Sequence, residues 1–201
     1  MENQQKVWDK IAKNWNECRT VISPTVKKFL SDKTGNILDV GCGSGRNFVK
    51  IDGLNWSAID FSESMINFAH EKAKKLEIKL DVKQSVSWDI PFGDNYFDAV
   101  LCHAVLHCIE TPKKRKKTLE EIYRVLKKDG VALISSWGMN SPRLKEKEGY
   151  VSWTIKEKEE KQMRYTYVFD LNELVYLCKE IGFEIVESWE ERNVNVIVRK
   201  K

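Results

Sequence analysis

A short apolar run, Asn36 to Val40, leads straight into Gly41-Cys42-Gly43-Ser44-Gly45, and this turn limits the possible folds more than any other feature of the chain. Glycine has no Cβ and enters φ > 0 without strain, so such a turn can bend sharply and bring backbone close to a ligand. A helix is expected next, with the free N–H groups of its first turn facing the same ligand. A second strand, Trp56 to Asp60, follows, and Asp60 stands 19 residues past Gly41. A carboxylate at that place accepts hydrogen bonds from both hydroxyls of a ribose. To this point a dinucleotide-binding chain reads the same way, because a glycine motif alone is weakly specific.

The rest of the chain alternates strands with helices. Val7, Trp8, Ile11, Ala12 and Trp15 share one face of a first helix, and Ser23-Pro24 opens a second through Leu30. Ser62 is placed to cap a helix carrying Met65, Phe68, Ala69 and Ala73 on one side. Leu80 and Val82 alternate with charges, as on an edge strand, and Phe97 to Cys102 reads as a buried strand. Thr118 to Lys128 is amphipathic, with Asp129-Gly130 as its expected stop, and Val131 to Ser136 is the next strand. From Gly138 to Lys161 the rhythm breaks into alternating lysines and glutamates; this insertion, bounded at 138–163, is expected as an excursion beside the substrate site. Leu171 to Ile181 is a helix stopped at Gly182. Phe183 to Trp189 and Val194 to Val198 then leave too little chain between them for a crossover helix, so they form an antiparallel hairpin. The expectation is a single α/β domain over 1–201, with N-terminal cap helices over 1–34 and helices on both faces of a mostly parallel sheet.

Composition removes several classes. Hydrophobic residues at 42% and charged residues at 32% describe a globular chain. No stretch approaches the roughly 20 apolar residues of a membrane span, and the polar start is unlike a secretory leader. Five cysteines without a Cys-x-x-Cys pair read as free thiols in a reducing compartment, so a cytoplasmic location is expected. The net charge of +4 is mild, and the runs Lys113-Lys114-Arg115-Lys116-Lys117 and Arg199-Lys200-Lys201 are expected as a solvated helix start and a frayed tail.

Two features depart from dinucleotide binding: the spacing is G-x-G-x-G, and the sheet closes on an antiparallel hairpin. With Ile37 to Gly45, Ile59-Asp60-Phe61-Ser62, Ile90-Pro91-Phe92 and Tyr96-Phe97-Asp98 in this order, the chain resembles the class I S-adenosylmethionine-dependent methyltransferases, which have a Rossmann-like seven-stranded sheet. The resemblance implies S-adenosyl-L-methionine as cofactor. Gly41, Gly43 and Gly45 would pass beneath its methionine part, and Asp39 would brace the loop and reach its amino group. Asp60 would hold the ribose and Phe61 would flank the adenine. The family has an acidic residue five positions before the proline of its Leu-Pro-Phe motif; here that position is Val86, and Ser87 and Trp88 are the substitutes at hand.

Cys102-His103 and His107-Cys108 suggest a metal site only if one helix carries both histidines, and no carboxylate completes the set, so no metal is expected. His103 and His107 instead follow the fourth strand, where open α/β sheets bind ligands; His103 is assigned to the cofactor and His107 to the substrate. The flanks resemble the tRNA methyltransferases that esterify wobble carboxymethyluridine. Ile11, Ala12, Trp15, Arg19, Pro24, Phe29 and Leu30 carry that likeness, as do Ala104 to His107, Trp137, Trp153 and Arg164 to Tyr167. An ionised carboxylate is its own nucleophile, so no general base is expected; the protein has to align it at about 3 Å from the methyl group and exclude water. Arg19, His107, Arg143 and Arg164 are candidates to hold the carboxylate, and Trp137 and Tyr165 to stack a base of the tRNA anticodon region. The resemblance also implies a small zinc-binding activator protein, for which the edge strand Ile78 to Gln84 is a docking candidate. A small-molecule O- or C-methyltransferase and a non-catalytic cofactor-binding scaffold remain alternatives.

Overall fold

The computed structural model describes residues 3–140, 146–155 and 159–201. Seven strands form one sheet in the order β3-β2-β1-β4-β5-β9-β8. Their ranges are β1 Gly35–Val40, β2 Leu54–Asp60, β3 Leu80–Gln84, β4 Phe97–His103, β5 Leu126–Trp137, β8 Glu184–Glu190 and β9 Asn193–Arg199. The first five are parallel; β9 runs antiparallel between β5 and β8, as the short connection requires. Two further strands, β6 Glu148–Ile155 and β7 Glu160–Tyr167, form a separate antiparallel pair. The helices are α1 Gln4–Cys18, α2 Pro24–Leu30, α3 Glu63–Lys75, α4 Pro112–Val125 and α5 Leu171–Ile181. Among the described residues no helix is long and apolar enough to cross a membrane.

The period-2 alternation of the strands sorts their side chains into two apolar layers. Leu38, Val40, Val100, Ala132 and Ile134 face Leu119, Ile122, Leu174 and Cys178 of α4 and α5. Ile37, Ala99, Leu101 and Leu133 face Phe29, Leu30, Ala69 and Ala73 of α2 and α3. The caps follow their chemistry: Asn3 Oδ1 accepts from the Gln5 N–H that opens α1, Ser62 Oγ accepts from Met65 at the start of α3, and Gly182, at φ +108°, ends α5.

Four expectations change. No helix follows the glycine turn. Residues 43–47 form a series of turns, and the chain returns to β2 with no regular element. Gly45, at φ +75°, seats Phe48 directly beneath the turn, and a Cβ there would lie 2.7 Å from that ring. The fourth helix starts at Pro112 and stops at Val125, so Asp129-Gly130 is no helix stop. Leu126 is already extended and paired with Phe97, and Asp129, at φ +63°, lies in the bulge where β5 shifts register. The edge strand starts at Leu80, so Ile78 and Lys79 precede it. The insertion, finally, is largely the β6–β7 hairpin.

α1 ties this hairpin to the sheet. Gln4 accepts from the Tyr165 N–H at 2.9 Å and donates to the Met163 carbonyl, while Asp9 accepts from the Ser62 hydroxyl at 2.6 Å and from the Ser64 N–H. The carboxyl ends of β1, β2 and β4 therefore open beneath α1, which β7 holds from behind.

Candidate active site

The turn after β1 holds Gly41 at φ +67°, where a Cβ would lie 2.6 Å from Val105 Cγ2. The backbone thus passes against the loop leaving β4, a closeness that only glycine permits. Gly43 donates its N–H to Asp60 Oδ2 at 2.8 Å, and Ser62 donates its N–H to Asp60 Oδ1 at 2.9 Å. Asp60 therefore staples the turn to the exit of β2, in place of the expected helix start. Each carboxylate oxygen keeps lone pairs for a ribose hydroxyl. Burial pushes the Asp60 carboxyl up to about 6, against the pull of the Ser62 and Gly43 amides.

A cavity of about 480 Å³ opens here, bounded by the glycine turn, Asp60 and Phe61, the Ser85–Trp88 stretch, His103 and two indoles of α1, Trp8 and Trp15. Three buried polar atoms on residues of its wall, Ser44 Oγ, Asn47 Oδ1 and His103 Nδ1, have no hydrogen-bond partner among the described residues, and neither does Asp39 Oδ2 on β1, behind the wall. Buried polar groups are nearly always satisfied, so this concentration points to a polar ligand. The set fits S-adenosylmethionine. Asn47 and Arg46, both on the cavity wall, would offer an oxygen acceptor for the ammonium and a cation for the methionine carboxylate, with the Asp39 carboxylate behind them. Burial pushes Asp39 up to about 8; Arg46 opposes that shift and Asp60 adds to it. Arg46 and Asn47 were missed in the sequence, where the only signal was a basic residue directly after the turn.

The part of the cavity assigned to the adenine is bounded by Phe61, Ser87 and Trp88. Gln5 and Gln84 both donate to the Phe61 carbonyl, at 2.7 and 3.1 Å, which fixes that ring's backbone. Lys114 Nζ lies 4.5 Å from the Trp88 ring centroid. The basic run is mostly engaged rather than solvated: Arg115 is buried over Tyr167, Lys116 pairs with Glu180, and Lys117 with Glu120 and Glu121.

The residues assigned to the substrate divide. His107, in a 3₁₀ turn over Leu106–Cys108, stacks on Trp137 with ring centroids 4.7 Å apart. Burial, then Arg164, then His103 push its pKa down to about 3, and burial and Arg46 do the same to His103. Arg164, 3% exposed, sits among the indoles of Trp8, Trp15 and Trp153 at 5.5, 5.5 and 5.1 Å. Arg19 stacks on Trp15 at 5.1 Å, and burial together with the charges of Arg46 and Arg192 lowers its pKa. Arg164 and Arg19 thus pack on Trp8 and Trp15, which line the cavity, while none of His107, Trp137, Arg164 and Arg19 is itself on its wall. Tyr165 does not present a stacking face. It is 7% exposed, and its hydroxyl accepts from Arg115 and donates to Glu148 at 3.0 Å, tying α4 to the hairpin. Arg143 lies outside the described residues.

The two raised carboxyls give a pH prediction. Both sit above their ordinary value of 3.8, so the folded chain binds their protons more tightly than the unfolded chain does. As pH rises from about 4 through 6 and 8, those protons leave and stability at these two groups falls. The cofactor's ammonium and hydroxyls favour the ionised forms. The gain in melting temperature on adding S-adenosylhomocysteine is therefore expected to grow between about pH 5 and pH 8. Thermal denaturation with and without the ligand checks it, and a gain that shrinks over this window contradicts the assignment.

Comparison with known proteins agrees with this geometry. A methyltransferase domain family matches residues 38–134. The tRNA (carboxymethyluridine(34)-5-O)-methyltransferase of Arabidopsis thaliana is 33% identical over 138 residues, 66% of this chain but 32% of that protein. The enzyme of the same name from Schizosaccharomyces pombe is 26% identical, covering 100% of this chain and 96% of its own. Among solved structures, a SAM-dependent methyltransferase from Methanosarcina mazei superposes with a TM-score of 0.68 at 25% identity, over 90% of this chain and 98% of that one.

Proposed function

This chain is a class I S-adenosylmethionine-dependent methyltransferase, and from that premise we propose that it methylates a carboxylate on tRNA, forming the methyl ester of carboxymethyluridine at the wobble position. The observation that carries this reading is the set of cationic and aromatic groups packed behind the cavity's indole wall: Arg19 and Arg164 held on Trp15, with His107 stacked on Trp137. The similarity to the Arabidopsis and fission-yeast enzymes supports it.

Bound S-adenosylmethionine supplies an electrophilic methyl group. The chain's own task is to bind and orient the acceptor. A carboxylate arrives ionised near pH 7 and needs no base. This suits a site whose two histidines are neutral and whose cations are guanidiniums, which stay charged. Stacked arginines hold an oxyanion in place at little entropic cost, because the rings already fix their planes. The activator belongs to the same proposal. β3 is an edge strand, and Ile78, Leu80 and Val82 pack partly against the layer that holds α3, so what the edge offers a zinc-binding partner is backbone.

The experiment is transfer of a labelled methyl group to total tRNA, with and without coexpressed small zinc-binding proteins. A methyl ester is cleaved by alkali, so the label is expected to leave the tRNA as volatile methanol. Transfer is expected to fall steeply with added salt as phosphate contacts are screened. Label that survives alkali, or transfer only to a small acid, overturns the reading.

A further inference from the structure

The adenine end lacks the acidic side chain that the family places where Val86 stands, and an adenine amino group enclosed there needs an acceptor. We propose that Ser87 Oγ is that acceptor, and that Thr118 on α4 sets its direction. The inference rests on the cofactor assignment alone and is independent of the tRNA reading.

Two hydroxyl protons are shared among three oxygens here. Ser87 lies on the cavity wall and is 8% exposed; Thr118 is fully buried behind it. Ser87 Oγ and Thr118 Oγ1 are 2.9 Å apart, so one of them donates to the other. Thr118 Oγ1 also lies 2.9 Å from the Lys114 carbonyl oxygen, which can only accept. Thr118 has one hydroxyl proton, and that carbonyl takes it. Ser87 must therefore be the donor in the pair. With its proton committed to Thr118, the Ser87 hydroxyl, on a residue of the cavity wall, has only lone pairs to offer a ligand. The chain Ser87 to Thr118 to Lys114 carbonyl turns a residue that both donates and accepts into a dedicated acceptor.

An acceptor fixed in this way discriminates between bases. The amino group of adenine donates to it, whereas the carbonyl oxygen at the same place in hypoxanthine opposes it lone pair to lone pair. Sites that hydrogen-bond a specific group reject analogues lacking it far more strongly than apolar pockets do. Glu110, at the cavity mouth, is the rival acceptor.

The test is calorimetric titration of the full chain with S-adenosylhomocysteine and S-inosylhomocysteine, with melting curves to confirm folding. The unmodified chain is expected to prefer the adenosyl ligand by at least about tenfold. Ser87→Ala is expected to weaken the adenosyl ligand about tenfold and, by removing the opposed lone pair, to weaken the inosyl ligand not at all or tighten it, removing the preference. Thr118→Val frees the Ser87 proton to donate to the inosyl oxygen, so the preference should narrow or invert. Thr118→Ser keeps the relay and should keep the preference. If Thr118→Val leaves the ratio of the two affinities at its original value, Thr118 sets nothing. If Ser87→Ala keeps the preference while Glu110→Gln removes it, the acceptor is Glu110 and the proposal is overturned.

Discussion

Asp60→Ala is expected to lower the affinity for S-adenosylhomocysteine by about a hundredfold or more. The carboxylate would accept from two ribose hydroxyls, and hydrogen bonds to a charged group contribute about 1.5–3 kcal/mol each. It is also the acceptor for the Gly43 and Ser62 amides, at 2.8 and 2.9 Å, so its loss frees the turn that the cofactor lies on. The effect on folding is smaller, because the lost amide bonds are offset by removal of a carboxylate that burial already disfavours. Asp60→Asn should not rescue binding, since its amide group would point a donor at one of the two N–H groups. Calorimetry is the readout. Unchanged affinity would place the ribose elsewhere and undo the site.

Gly41→Ala is expected to act on the fold itself, by about 2–4 kcal/mol. Two costs combine: an L-residue held in the left-handed region, and a Cβ forced to 2.6 Å from Val105 Cγ2. The two are separable. In the Gly41→Ala background, Val105→Ala removes the overlap and leaves the backbone strain, so it should restore only part of the stability. Urea denaturation of the two single variants and the double variant measures the coupling. Additive losses would mean that the turn and the loop after β4 are not in contact.

The cofactor half was legible because its residues are demanded by backbone geometry. Three glycines at positive φ, an aspartate ending the second strand and a serine capping the next helix leave local traces that do not depend on the rest of the fold. The closing hairpin was legible from the shortness of its connection. The β6–β7 hairpin was not, and its buried face explains why. The inward positions of β7 include Gln162, Arg164 and Thr166, so the usual alternation of apolar and polar residues is absent. Arg164 is buried because three indoles surround it, and those come from α1 and β6, far apart in sequence. Tyr165 misled for the same reason. Its neighbours in the sequence suggested a site residue, whereas its hydroxyl is committed to Arg115 and Glu148. Asp129-Gly130 looked like a helix stop because a bulge and a helix end both favour residues that tolerate positive φ.

The glycine turn, Asp60 and the unpartnered acceptors around them are read as a site for S-adenosylmethionine and not for a dinucleotide. Titration of the unmodified chain with S-adenosylhomocysteine and, separately, with NAD tests it most directly. One S-adenosylhomocysteine bound per chain, with no heat from NAD at the same concentrations, is the expected result; saturable NAD binding, or none of either ligand by a folded chain, would contradict it.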